Sequence, residues 1–145
     1  MSRAFATSPP PTASRAHPME KAAPMNYHHL YTDDLGESHW RAVEVRLAEQ
    51  PFAPPARGIL VSEAEPARAT LFLRLPAGWN EPQHPTPKRQ TLVCLGGAVD
   101  VTASDGETRR IGPGDVWRME DCTGKGHHTA VVGTADFDAV IIQFD

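Results

Sequence analysis

No stretch after residue 25 places apolar residues at i, i+3, i+4 and i+7 over the ~11 residues an amphipathic helix needs. Short β-rich runs recur instead, each bounded by proline or glycine. They fall at 39–47, 58–62, 70–75, 90–95, 98–103, 108–111, 115–119, 127–132 and 137–144. In the run 70–75, Leu71, Leu73 and Leu75 share one face; in 137–144, Phe137, Ala139 and Ile141 oppose Val140, Ile142 and Phe144. Both faces of that last run are apolar, so one of them is expected to pack on a second sheet or a second subunit. Gly96-Gly97 and Asp105-Gly106 suit tight hairpin turns, and Pro113-Gly114 fits the centre of a type II turn. Eight or nine strands spaced about ten residues apart predict an all-β sandwich or barrel.

Length and composition set the limits around that pattern. The chain has 145 residues, enough for one core and not two. Five of its 14 prolines lie within the first 25 residues, with Arg3, Arg15 and Lys21 against a single acid, Glu20. Residues 1–25 are therefore expected to be a disordered Pro/Ala/Ser-rich tail, unable to offset its ordering entropy by burial. Residues 26–145 are expected to form a single barrel domain. The formal charge of the whole chain is −4, and with no basic stripe it argues against nucleic acid as a partner. Two cysteines make no disulfide framework, no 18-residue apolar run offers a membrane span, and no apolar stretch of signal-peptide type opens the chain. A cytoplasmic protein is expected on these grounds. Exposed sheet edges invite pairing, so a homodimer is expected as well.

The spacing between Gly78 and Gly97 is specific. Gly78 is followed after five residues by His84, then by Thr86, Gln90 and, six residues on, Gly97. The region Gly114–His127 contains Gly-Pro-Gly-Asp at 112–115 and ends in G-x-x-H, Gly124-Lys125-Gly126-His127. These two segments resemble the two motifs of the cupin superfamily, and the ending 121–128 is similar to that of small single-domain bacterial cupins. The resemblance implies a double-stranded β-helix, the jelly-roll barrel. It also implies a metal held by histidines and a glutamate, with a dioxygenase- or isomerase-like activity or a small-molecule binding role. This chain departs from the family pattern at the ligands. Thr86 stands at the second histidine position, Gln90 at the glutamate, and Val131 at the asparagine of the second motif. Gly114 and His127 are also two positions further apart than the motif has them, and its proline has no counterpart.

Of the implied ligands, His84 and His127 survive. A divergent site built on His84, His127 and Gln90 would hold one divalent transition metal (Fe, Mn, Ni, Co or Zn) with open positions for a substrate. A metal-free pocket in which the same side chains contact a small molecule, catalytically or as a binding or sensing module, is the alternative. In that case either histidine is a candidate acid or base. Residues two apart on a strand face the same way, so Thr86, Gln90 and Cys94 share the inward parity of His84. Lys88 has that parity too, but Pro85 and Pro87 lack N–H donors and predict an irregular edge with Lys88 and Arg89 in solvent. Trp79, Trp117 and Met119 are expected in the pocket wall. Glu81 is expected in a solvated loop, although it could replace the missing carboxylate. Cys122 would need a basic neighbour to act as a nucleophile. His128 is expected to face away from His127, and the pair His28–His29 to be the solvated start of a strand.

Overall fold

The computed structural model describes residues 23–145, so the tail expected at 1–25 lies, up to residue 22, outside the described residues. The described chain is built of strands and turns, with no helix assigned among its residues. The strands are β1 (Asn26–Thr32), β2 (Ser38–Glu44), β3 (Ala48–Gln50), β4 (Ile59–Val61), β5 (Ala69–Leu75) and β6 (Gln90–Gly96). They continue as β7 (Ala98–Ala103), β8 (Thr108–Ile111), β9 (Val116–Glu120), β10 (His127–Val132) and β11 (Phe137–Gln143). A six-stranded sheet in the order β2-β1-β9-β6-β11-β5 faces a three-stranded sheet in the order β10-β7-β8, and β3 and β4 form a separate two-stranded sheet. This is a jelly-roll sandwich.

Alternation along the strands fills the space between the two large sheets. β7 buries Val99, Val101 and Ala103, β6 contributes Leu92 and Cys94, β9 Trp117 and Met119, and β11 Phe137, Ala139 and Ile141. The outer face of β11 is only half-buried: Val140 and Ile142 are partly covered where the inner-face residues are buried. The expected strands at 98–103, 108–111 and 127–132 occur over those residues.

Two sequence expectations need correction. β2 stops at Glu44 instead of Leu47, and β3 follows after a break. β1 was not anticipated, and His28 and His29 lie in its middle instead of preceding the barrel. It pairs with β2 antiparallel and with β9 parallel, and this double pairing buries His29 and Leu30. Residues 84–89 are not a regular strand. An isolated bridge, His84↔His127, ties this segment to the edge of β10, and a second, Asn80↔Ala130, ties the loop before it; the prolines at 85 and 87, without N–H donors, bar a longer ladder.

Candidate functional site

The two motif segments meet backbone to backbone. His84 N–H donates to His127 O and His127 N–H to His84 O, both at 3.0 Å. Gly126 makes this approach possible. Its φ is +72°, and a β-carbon there would collide with the carbonyl of His84. The imidazoles of His84 and His127 consequently lie 5.4 Å apart, centroid to centroid.

Behind His127 is a residue that the sequence reading did not single out. Asp121 is fully buried, and its carboxylate accepts from Thr86 Oγ1 at 2.7 Å and from His127 Nδ1 at 2.5 Å. Thr86 N–H also donates to Asp121 O at 3.0 Å. A carboxylate beside Nδ1 fixes the proton there and leaves Nε2 of His127 for another partner. His84 is fixed in the same sense, because its Nδ1 lies 2.9 Å from Pro82 O, a group that can only accept. Asp121 had a sequence signal: it continues the inward parity of Trp117 and Met119, one step past the end of β9.

Both histidines open on a cavity of about 160 Å³ between the sheets. Of the expected pocket residues, Trp79, His84, Thr86, Gln90, Trp117, Met119 and His127 line it. Most of the remaining wall is apolar: Leu73, Leu75, Pro87, Leu92, Phe137 and Ile141, with Thr129. Trp117 packs edge-on against His127 at 5.3 Å, and its buried indole Nε1 has no protein partner. Cys94 is a correction. It is buried, but its thiol turns toward the carbonyls of Gly96 and Gly97, outside the cavity lining. Burial pushes the Cys94 and Cys122 thiols above their ordinary value, which disfavours either as a nucleophile. Lys88 and Glu81 are exposed and do not line the cavity. His128 faces away from it and bonds Asn80 Oδ1 at 2.6 Å.

The donors present do not fit the metal set that the resemblance implies. Two imidazoles reach the cavity, and no carboxylate does. Asp121 uses both oxygens on Thr86 and His127, while Gln90 accepts from Gln143 at 3.2 Å and donates to Met119 Sδ at 3.4 Å. Among the described residues, no group of three or more His, Cys, Asp and Glu is placed to hold a metal ion.

No family model matches this chain, and no curated protein matches it. Among solved structures, the Cnp3 cupin domain of Schizosaccharomyces pombe is similar over 84% of this chain and 84% of that one, with 17% identity and a TM-score of 0.45. A conserved protein of unknown function from Streptococcus pyogenes is similar over 58% of this chain and 70% of that one, with 19% identity and a TM-score of 0.38. The chain's own two-sheet order forms a jelly-roll barrel, and its two motif segments meet at His84 and His127.

Proposed function

We propose that the barrel binds a small, mainly apolar molecule whose one polar group meets Nε2 of His84 and His127 without a metal. The buried chain Thr86–Asp121–His127, ending at an apolar cavity, carries this reading. A buried carboxylate is a poor means of adding stability, since well-packed apolar residues serve as well or better. Placed behind a cavity-facing imidazole, it orients the ring and stabilises the imidazolium. An apolar cavity of ~150 Å³ admits a molecule the size of benzene, so the ligand class is a single-ring or branched aliphatic compound with a hydroxyl, carbonyl or carboxyl group. The Asp121–His127 pair also supports a second reading, proton transfer to or from such a molecule by His127, as in an isomerase. The unpaired thiols Cys94 and Cys122 suit a reducing compartment such as the cytoplasm.

A thermal-shift screen of small aromatic and branched acids, alcohols and ketones tests binding. A ligand at 100 times its Kd stabilises by about 2.7 kcal/mol, and that shift is expected to vanish in His127→Ala. In Asp121→Asn, which keeps the side-chain shape, affinity is expected to fall about tenfold or more, the equivalent of one charge-assisted hydrogen bond of roughly 1.5–3 kcal/mol. Product analysis on the same mixtures separates binding from turnover. Elemental analysis of protein purified without chelator is expected to find metal far below one per chain. Stoichiometric metal that disappears in both His84→Ala and His127→Ala would instead establish the metal site and overturn the metal-free reading.

A further inference from the structure

The hydrogen-bond character of the cavity's polar end is set by groups outside it. Pro82 O lies 2.9 Å from His84 Nδ1. A carbonyl has no proton to give, so Nδ1 carries the hydrogen of the neutral ring and Nε2 keeps a lone pair. Asp121 does the same to His127. Its Oδ1 accepts from Thr86 Oγ1 at 2.7 Å. The proton between its Oδ2 and His127 Nδ1 stays on nitrogen, ordinarily the more basic atom of such a pair. Two neutral imidazoles held in this way present acceptors, and no donor, to a bound molecule.

The two acceptors differ in their access to water. His84 is exposed, so solvent serves its Nε2, whereas His127 is 2% exposed. A buried acceptor without a partner is costly, and the ligand is what relieves it. Donors in the wall are few. The amide of Gln90 is engaged by Gln143 and Met119, and the Trp117 N–H is itself buried. Thr129 is different: two residues beyond His127 on β10, it shares that residue's parity, lines the cavity and is 5% exposed. Its hydroxyl donates or accepts as required. A ligand hydroxyl complements this pair, because it has one hydrogen to give and lone pairs to receive. A ketone satisfies Thr129 alone and sets its lone pairs against that of His127. A carboxylate does so with a full charge, beside the buried carboxylate of Asp121.

The geometry points to a barrel selective for an uncharged alcohol or phenol, with His127 Nε2 accepting the hydroxyl hydrogen and Thr129 donating to the hydroxyl oxygen. This selectivity rests on the metal-free binding proposed above and narrows its ligand class to hydroxyl compounds. Matched probes at pH 8 test it: cyclohexanol against cyclohexanone, and phenol against benzoate, with toluene as the apolar reference. Calorimetric titration of the full-length chain is expected to give a Kd at least about tenfold lower for cyclohexanol than for cyclohexanone, and for phenol than for benzoate or toluene. Asp121→Asn is expected to change the order. The new amide accepts from Thr86 through its oxygen, which turns its N–H toward His127 Nδ1 and moves the imidazole proton to Nε2. Cyclohexanone is then expected to bind about tenfold tighter than it does to the parent, and cyclohexanol more weakly. Should that variant fail to fold, two-bond proton–nitrogen correlation spectra of the parent chain decide, with His127 expected to carry its hydrogen on Nδ1 and none on Nε2. A parent chain that binds the ketone as tightly as the alcohol, or that carries the His127 hydrogen on Nε2, overturns the hydroxyl selectivity and leaves the binding barrel standing. Binding of none of the five compounds overturns both.

Discussion

Gly126 shows how much of the site rests on one backbone position. A residue other than glycine in the left-handed region costs about 1–2 kcal/mol, and at 126 a β-carbon would also displace the His84 carbonyl. Gly133, with φ +77° and nothing within 4 Å of an added β-carbon, carries only the conformational cost. Gly126→Ala is therefore expected to lower Tm by clearly more than Gly133→Ala and to remove the ligand-induced shift, which Gly133→Ala preserves. Equal losses in the two variants would show that the His84 contact is unimportant. The G-x-x-H spacing thus marks where the two motif segments meet, but Gly126, which lets them touch, stands at one of its free positions. Asp121 was legible only as an inward-facing position in line with Trp117 and Met119, because its role comes from a partner, Thr86, 35 positions away. No local pattern announces that pairing.

At the scale of elements, β1 was missed because its residues NYHHLYT carry few aliphatic side chains and two histidines. Its place is set by tertiary pairing, antiparallel to β2 and parallel to β9. The strands with clean alternation or glycine-marked turns, β7 and β8 among them, were legible because their burial period is local. The cost of burying His29 in β1 has a pH signature. Arg41 Nε–H donates to His29 Nδ1 at 2.7 Å, which requires the neutral ring. Burial, aided by Arg41 and Arg118 and opposed by Glu120, holds His29 below its ordinary value. The unfolded chain then takes up a proton near pH 6.5 while the folded one resists, so this contribution to stability is lost as pH falls through that range. His39 has the opposite sign. Its hydrogen bonds to Asp33 and Asp105 raise it, so its contribution is full below the unfolded value and is lost as pH rises through the folded one. Between pH 8 and pH 5.5, the stability deficit of His29→Gln is expected to narrow with acidification and that of His39→Gln to widen. Denaturant titrations at each pH measure both, and a parallel trend in the two variants would contradict this assignment.

The whole molecule keeps open a space that its two sheets could have closed. Protein interiors pack to near-crystalline density, so a cavity of about 160 Å³ walled by leucine, isoleucine and aromatic side chains forfeits dispersion contacts that a filled core would have. A binding barrel retains such a space, because the ligand supplies the missing contacts; a purely structural barrel has no use for it. Leu73→Phe separates the two cases. Leu73 points inward from β5, packs beside the core and lines the cavity while remaining half-buried, so a larger ring there can grow into empty volume without displacing backbone. The variant is expected to gain about 0.5–2 kcal/mol, the range typical of cavity filling, and at the same time to lose the ligand-induced thermal shift. Overpacking of an already full core would instead cost about 1–3 kcal/mol, and that result would mean the space is not available to a ligand. A variant that is stabilised yet still binds would move the ligand away from β5, toward the His84 side of the cavity. The decisive pattern is the joint change, higher Tm with binding abolished, because it ties the cavity's volume to the function of the barrel's interior.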